Sequence, residues 1–272
     1  MSTIAGLFRV RLVLVNAVAA LGGYLLFPKP VVGYEMGVLF AGVSLLAAAG
    51  SALNQVLERE SDALMQRTRN RPIPSGVLAP SAAACIGMAC AAAGVVLLSR
   101  AGGAAPALFG AAALLWYLVV YTPLKRRTPF ALALGALCGA APPMIGWCLA
   151  GGSPGDFRVI LLAGILYLWQ VPHFWLLQRR HAEDYRRAGF PLFTPAAHGT
   201  ALAPLCRLWL VAMIAAALML PAFGLLPGSA PLWCAVFCAP LVITAFKRSE
   251  PALFASVNLF PVLVTLALCA GR

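Results

Sequence analysis

A series of long apolar runs, almost free of charged residues, constrains the fold of this chain more than any other feature of its sequence. Crossing the ~30 Å hydrocarbon core of a bilayer takes about 20 residues of helix, and a backbone in lipid satisfies its hydrogen bonds only as a helix or a closed barrel. The runs are continuous rather than alternating, which indicates helices. Nine spans are predicted, at residues 10–27, 34–57, 78–98, 104–121, 131–150, 157–178, 202–221, 230–246 and 251–270.

The composition agrees with a membrane protein that crosses the bilayer several times. Charged residues make up 10% of the chain, against about 25% in soluble domains, and the mean hydropathy is +0.89. The apolar runs are too numerous for a cleaved signal peptide followed by a soluble body. We therefore predict an all-α fold, a polytopic membrane protein whose single bundle of about nine transmembrane helices forms one domain over residues 1–272.

The positive charges are distributed unequally between the predicted loops. If the N-terminus is cytoplasmic, sixteen of the twenty Lys and Arg residues lie on the cytoplasmic side, and only Lys29, Arg100, Arg158 and Arg272 lie opposite. Cytoplasmic loops of membrane proteins carry such an excess. We predict a cytoplasmic N-terminus and a C-terminus on the opposite side. The net charge of +12 then reflects topology and affinity for anionic lipid, and nucleic-acid binding is not indicated.

Polar chemistry is concentrated in three segments on the predicted cytoplasmic side, 54–76, 121–129 and 178–200. The first and third of these contain five of the eight acidic residues. Polar groups near the membrane are costly unless they have a role. The clustering at helix ends therefore indicates one polar site that faces the cytoplasm.

The first segment has the pattern of a metal-assisted diphosphate site. Asn54, Glu58 and Asp62 recur every four residues, and on a helix each step of four turns by only ~40°, so the three share one face. Oxygen ligands in a row suit Mg²⁺, which typically takes one or two carboxylates plus phosphate oxygens. The arginines within 67–71 offer guanidinium groups that match phosphate oxygens. The alternative is a helix end that carries Glu–Arg pairs, with its arginines among lipid headgroups.

The second and third segments leave their alternatives open. The double proline at 142–143 removes hydrogen bonds in mid-span and predicts a kink or a broken helix that lines a cavity. Gln170 and His173 lie in a predicted span among aromatic residues. The histidine is a heme ligand, a proton acceptor or a satisfied core residue. Glu183 and Asp184, among four arginines, form either a second metal–diphosphate half-site or a salt-bridge cluster.

The three segments, read together, resemble the UbiA-type intramembrane prenyltransferase superfamily, and within it the protoheme IX farnesyltransferase (heme O synthase) family. The resemblance covers roughly residues 7–270. It rests on "ALNQVLERESDALMQRTRNRPIPSG", "VVYTPLKRRTPFALALGALCGAAPPMIGW" and "YLWQVPHFWLLQRRHAEDYRRAGFPL". It implies one UbiA-type domain over residues 1–272 that transfers a farnesyl group from farnesyl diphosphate to a vinyl group of protoheme IX, giving heme O and diphosphate.

The resemblance also implies roles for particular residues and partners. The implied cofactor is Mg²⁺, the substrates are farnesyl diphosphate and protoheme IX, and the location is the bacterial plasma (inner) membrane with the site on the cytoplasmic side. Partners in the pathway would be a heme A synthase or a heme–copper oxidase. The implied catalytic residues are Asn54, Glu58, Asp62 and Asp184; the metal ligands Asn54, Glu58, Asp62, Glu183 and Asp184; the diphosphate contacts Arg67, Arg71 and Lys125; and the acceptor pocket Trp169, Gln170, His173 and Tyr185.

Two departures from the superfamily pattern are visible. Glu58 stands where related prenyltransferases commonly have Asp, although a carboxylate is retained. The second motif has no D-x-x-x-D, since Ala188 follows Asp184 by four residues and Arg180 precedes it by four. Whether one or two Mg²⁺ bind is therefore open, with His181 or Glu183 as further candidates.

Two other functions fit part of the pattern. A prenyltransferase acting on a small aromatic acid or quinone precursor would share the first motif and differ in its acceptor pocket. A non-catalytic heme or lipid transporter would tolerate Asn54→Ala, Glu58→Gln and Asp62→Asn, whereas an enzyme would lose turnover.

Overall fold

The computed structural model describes residues 3–192, 204–226, 230–246 and 250–270, and all regular structure within them is helical. The order of elements is α1 (Thr3–Phe8), α2 (Val10–Leu26), α3 (Gly33–Leu57), α4 (Arg59–Leu64), α5 (Pro80–Gly102), α6 (Ala104–Leu115), a π-helical turn (Trp116–Tyr121), α7 (Thr122–Leu124), α8 (Ala131–Leu149), α9 (Phe157–Arg180), α10 (Ala182–Arg187), α11 (Pro204–Ala222), α12 (Ala230–Phe246) and α13 (Glu250–Ala270). The prediction of an all-α fold is confirmed for the described residues.

The long helices coincide with the predicted spans to within a few residues. The span at 104–121 corresponds to α6, the π-helical turn and α7 together, and residues 202 and 203 lie outside the described residues. Among the described residues, seven helices have the length and mean hydropathy of a membrane span. Helices α2 and α12 are shorter, at 17 residues each. The chain is an integral membrane protein, while the count of nine crossings and the orientation of the termini stay predictions.

Helices α2 and α8 pack with their backbones in direct contact. A Cβ at Gly23 would lie 2.0 Å from the carbonyl oxygen of Pro143, and a Cβ at Gly146 would lie 1.9 Å from the carbonyl oxygen of Ala20. Association of helices in lipid depends on close packing, which small residues allow. Glycine at these two positions therefore sets the distance between α2 and α8.

The predicted break at the double proline does not occur, because α8 continues through Pro142 and Pro143 to Leu149. The prolines still remove two N–H donors from the helical ladder. Pro142 lines a central cavity of the bundle, although the helix that carries it is unbroken.

Helix α1 is held against α3 by side-chain hydrogen bonds. Ser51 Oγ donates to the carbonyl oxygen of Leu7 at 2.8 Å, and Gln55 Nε2 donates to the same oxygen at 2.7 Å. Arg9, between α1 and α2, has φ +52°, a left-handed conformation that is uncommon for a residue with a side chain. The chain turns sharply there, and Arg9 lines the central cavity.

Candidate active site

Asn54, Glu58 and Asp62 form a buried row at the junction of α3 and α4. Glu58 is the last residue before α4, but the backbone hydrogen bonds from Glu58 N to Asn54 O (2.9 Å) and from Asp62 N to Glu58 O (2.8 Å) continue the helical register through the junction. Their relative exposures are 3%, 2% and 1%. Asn54 Nδ2 donates to Glu58 Oε2 at 2.9 Å. The structure therefore gives the three residues the continuous helical spacing that the sequence predicts.

Each acidic side chain of this row is paired with a cation from another part of the chain. Lys125, which follows α7, donates to Glu58 Oε2 at 2.5 Å, and Arg71 donates to Asp62 Oδ2 at 2.6 Å. Burial lowers the pKa of the Lys125 ammonium and of the Arg71 guanidinium, and the partner carboxylates oppose that effect. Two of the predicted diphosphate contacts thus lie directly against the predicted metal ligands.

Thr122 and two tyrosines extend the site, and the sequence interpretation did not select them. Thr122 Oγ1 lies 3.0 Å from Asn54 Oδ1 and 2.8 Å from the carbonyl oxygen of Tyr117. The ring of Tyr121 stacks on that of Tyr117 at 5.7 Å and lies under the Lys125 ammonium at 5.7 Å. The π-helical turn presents these side chains, and such turns are frequent at functional sites. Within the stretch "YTPLKRR", the sequence analysis predicts a role in diphosphate binding for the lysine alone.

Asp184 joins the third polar segment to the first. Its Oδ1 accepts the backbone N–H of Gln66 at 2.9 Å, and its Oδ2 accepts the backbone N–H of Arg67 at 3.1 Å. Burial raises the pKa of the Asp184 carboxyl. The two N–H donors and the nearby Arg67 and His181 side chains together lower it by more, so the pKa lies below its ordinary value. Asp184 is therefore charged near neutral pH and is 8% exposed.

Glu183, predicted as a metal ligand with Asp184, lies apart from it. Its side chain is 62% exposed and pairs with Arg186 at 2.9 Å and Arg187 at 3.4 Å, both within α10. Successive residues of a helix point about 100° apart, so α10 turns one carboxylate inward and the next toward solvent. The structure does not bring Glu183 to the predicted metal site.

An apolar cavity lies inside the bundle, beside the part of α3 that precedes the buried row. On α3 it is lined from Ser51 back to Val43, and α2, α6 and α8 contribute mostly small and aliphatic side chains. Arg9 lies in its wall, and its positive charge acts on both Arg71 and Lys125. Sequence reasoning assigned this arginine to topology alone, because nothing in the local sequence signals the left-handed turn.

The predicted acceptor pocket is divided between two faces of α9. Gln170 lines the central cavity and occupies the space beside Gly139, where a Cβ would lie 1.1 Å from Gln170 Nε2. Trp169 instead donates to the carbonyl oxygen of Val257 on α13, and the His173 ring stacks on the Trp169 ring at 5.1 Å. Residues four apart share a helix face and adjacent residues do not. Trp169 and His173 therefore lie on a different face of α9 from Gln170, and their part in an acceptor pocket stays a prediction.

Tyr185, the fourth predicted pocket residue, lies at the polar end of the site. The Arg67 guanidinium is 5.9 Å from the centre of its ring, and the Phe190 ring is 5.8 Å away. Lys125 also lies 5.5 Å from the centre of the Phe190 ring. These rings surround the cations of the site rather than the cavity. Of the third polar segment, residues 193–200 lie outside the described residues.

The buried row offers oxygen atoms of the kind that coordinate a divalent cation. Glu58 Oε1 is buried without a hydrogen-bond partner, although an unpaired buried acceptor is costly, and the Asn54 and Asp62 oxygens continue the row. Within the described parts of the chain, no three His, Cys, Asp or Glu side chains converge on one point. The protein thus offers a partial oxygen shell, as expected for Mg²⁺ that is also coordinated by phosphate and water.

The chain is similar to known proteins over nearly its whole length. The model of the UbiA prenyltransferase family matches residues 14–270. A protoheme IX farnesyltransferase of Geobacter sulfurreducens is 57% identical over 263 residues, with 96% of each chain covered. Another, of Oleidesulfovibrio alaskensis, is 39% identical over 98% of this chain and 95% of the relative.

Solved structures show the same fold. A UbiA homolog from Aeropyrum pernix K1, in its apo form, superposes with a TM-score of 0.75 at 21% identity, with 96% of each chain covered. A UbiA homolog from Archaeoglobus fulgidus bound to DMAPP and Mg²⁺ gives 0.68 at 14% identity, with 99% of each chain covered. At these identities the likeness concerns the fold alone.

Proposed function

The chain belongs to the UbiA prenyltransferase family, and we propose that it transfers a farnesyl group from farnesyl diphosphate to a vinyl group of protoheme IX. The C–O bond to the diphosphate breaks, a C–C bond forms to the vinyl carbon, and water supplies the hydroxyl of heme O and releases one proton. The names of the two relatives with nearly full coverage support this assignment. The observation that carries it is the buried Asn54–Glu58–Asp62 row, which is paired with Lys125 and Arg71 and follows on α3 the residues that line an apolar cavity.

Lys125, Arg71 and Arg67 bind the diphosphate in this proposal. Their positive charges stabilise the negative charge that develops on the leaving group, and they do so in a partly buried site where electrostatic interactions are strong. Lys125 and Arg71 are already directed toward the row by Glu58 and Asp62. They therefore need little rearrangement to reach a phosphate held beside these carboxylates.

Asn54, Glu58 and Asp62 hold Mg²⁺ in this proposal. When bound, the ion neutralises the diphosphate and favours its departure. Thr122 keeps the Asn54 amide oriented through its contact with Asn54 Oδ1. A relative of the same fold whose structure contains DMAPP and Mg²⁺ supports the use of a divalent cation.

The cavity along α3 takes the farnesyl chain and excludes water from the reacting carbon. Its wall between Ser51 and Val43 is apolar, and the Tyr117 and Tyr121 rings stand at its polar end. Aromatic faces stabilise nearby positive charge, and a dry site protects an allylic cation from early hydrolysis. Gln170 is the polar side chain of α9 on this cavity and is placed to orient the acceptor. We assign the site to the cytoplasmic side of a bacterial inner membrane, with the product passed to heme A synthesis.

Mass analysis of extracted tetrapyrroles tests the proposal. The purified chain, given farnesyl diphosphate, protoheme IX and Mg²⁺, is expected to produce heme O, and Asp62→Asn or chelation of the metal is expected to abolish the product. Glu60→Gln serves as the control, because Glu60 is 80% exposed and its carboxylate is 3.6 Å from the Arg59 guanidinium. Alkylation of 4-hydroxybenzoate with protoheme left unchanged would overturn the choice of acceptor.

A further inference from the structure

The carboxylate of Asp184 is occupied by the protein backbone. Its two oxygens accept the N–H groups of Gln66 and Arg67, which lie 118 and 117 residues earlier in the chain. Two N–H donors at 2.9 and 3.1 Å on a buried carboxylate are charge-assisted hydrogen bonds, which are about twice as strong as neutral ones. Asp184 thus fixes the start of the loop that carries Arg67 and Arg71.

The surroundings of Asp184 do not suit a divalent cation. Both of its oxygens already accept backbone N–H groups, and the positive charge of Arg67 also acts on this carboxylate. The neighbouring Glu183 is turned to solvent and paired with Arg186 and Arg187. In the described residues, no third acidic, histidine or cysteine side chain joins them.

The carboxylates of the first motif differ from that of Asp184 in the free oxygen of Glu58 and in the groups that donate to them. Glu58 has an unpartnered, buried oxygen, and both Glu58 and Asp62 face cations carried by side chains rather than by backbone. Side-chain cations such as Lys125 and Arg71 can move from carboxylate to phosphate, whereas the N–H groups on Asp184 cannot leave without unfolding the loop. The two acidic motifs are therefore not equivalent in this chain.

We infer that this prenyltransferase binds one divalent cation, at Asn54, Glu58 and Asp62, and that Asp184 is a positioning residue that holds the arginine-bearing loop over the diphosphate. The inference rests on the proposed function only in taking a prenyl diphosphate as the ligand. It assigns the second acidic motif of this chain to loop anchoring rather than to metal binding.

Counting bound metal tests the inference without turnover. The purified full chain is titrated with Mn²⁺ in the presence of a non-hydrolysable farnesyl thiodiphosphate, and electron paramagnetic resonance measures the bound metal. We expect one Mn²⁺ per chain. The same stoichiometry is expected for Asp184→Asn, and its loss for Asp62→Asn. Two Mn²⁺ in the wild-type chain, or fewer than one Mn²⁺ per chain in Asp184→Asn at saturating thiodiphosphate, would overturn the inference. The wild-type count needs no variant to fold.

The positioning role has its own readouts. In Asp184→Asn, the side-chain NH₂ group faces a backbone N–H donor, so the loop is expected to loosen. We then expect trypsin to cleave after Arg67 faster. In the absence of metal, we expect the thiodiphosphate to bind about tenfold more weakly. Glu183→Gln removes the same charge from the adjacent residue and is expected to change neither quantity. Equal effects of both variants, or an unchanged Asp184→Asn, would contradict the anchoring role. If the protein did not use protoheme as its acceptor, all these measurements would still hold, and only the choice of acceptor in the proposed function would be wrong.

Discussion

Glu58 uses its two oxygens very differently. Oε2 accepts hydrogen bonds from Asn54 and Lys125, while Oε1 is buried with no partner. A buried acceptor without a donor costs about 1–3 kcal/mol, and such a cost is retained where a ligand relieves it. This one atom distinguishes a binding site from a salt bridge that only stabilises the fold.

Replacement of Glu58 tests that distinction at the level of a single side chain. Glu58→Gln keeps the shape but removes the charge that attracts a metal and orients Lys125, so we expect the rate of farnesyl transfer to fall by at least about 100-fold, the magnitude typical of removing one electrostatic group from a catalytic site. Product mass analysis measures the rate. The matched control is Glu60→Gln, because Glu60 lies two residues away and is exposed. Its rate of farnesyl transfer is expected to stay within about twofold of the wild-type rate. A comparable loss of rate in Glu60→Gln would show that the effect is not specific to Glu58.

The Asp184 anchor has a predictable dependence on pH. Because its folded pKa lies below the ordinary value of 3.8, the charged carboxylate stabilises the fold above that value, and this stabilisation is lost as pH falls through the folded pKa. We expect the difference in melting temperature between the wild type and Asp184→Asn to be constant from about pH 5 to 8 and to shrink below pH 3.8. Thermal unfolding in detergent at several pH values measures it. A difference that grows on acidification would contradict the assignment.

At the residue scale, sequence patterns identified what recurs with helical spacing and missed what depends on tertiary structure. Asn54, Glu58 and Asp62 were recognisable because their spacing is set by the helix itself. Arg9 joins the cavity only through a left-handed turn. The inward direction of Asp184 and the outward direction of Glu183 depend on the rotation of α10, which two adjacent carboxylates do not reveal.

At the scale of elements, hydropathy predicted the long helices well because each span must be long and apolar regardless of its neighbours. The π-helical turn at Trp116–Tyr121 was not predicted, since an extra residue in a helix leaves the hydropathy unchanged. The turn nevertheless aims Thr122 and Tyr121 at the site. The division of α9 into two faces was missed for a related reason: the aromatic cluster was read as one group, without the 100° rotation per residue.

The contact between α2 and α8 supports a prediction about stability. Gly146→Ala would place a Cβ 1.9 Å from the carbonyl oxygen of Ala20, so the helices must separate, and we expect a loss of about 1–3 kcal/mol in the free energy of unfolding. Gly164→Ala, in the interior of α9 with nothing within 4 Å of its Cβ, is expected to be neutral or to stabilise the fold by up to about 1 kcal/mol. Denaturant unfolding in detergent compares the two; an equal response would mean that the α2–α8 contact is not tight.

At the scale of the whole molecule, the polar groups gather at one end of the bundle. Arg71 and Lys125 pair with the acidic row there, Arg9 acts on both cations, and the middle of α3 lines the apolar cavity. This polarity suits a ligand with an anionic head and a hydrocarbon tail. The charge distribution in the sequence predicts that this end faces the cytoplasm.

The orientation in the membrane can be measured with single introduced cysteines. Ser75 lies in the exposed loop before α5, and Ser153 lies in the exposed loop between α8 and α9. In intact cells, a membrane-impermeant maleimide is expected to label Ser153→Cys above the level of the parent chain, and in inverted vesicles to label Ser75→Cys. The reverse pattern would invert the predicted topology, and labelling of both from one side would contradict an odd number of spans between them.

The bond between Asp184 and residues 66–67 also determines when the site can form during synthesis. The arginine-bearing loop leaves the ribosome 118 residues before its anchor, which at about 5–20 residues per second is an interval of about 6–24 s. Until the sixth long helix has been inserted, the backbone N–H groups of residues 66 and 67 lack the carboxylate of Asp184. A nascent or truncated chain therefore lacks an organised diphosphate site, and prenyl diphosphates are not consumed before the bundle around them is complete.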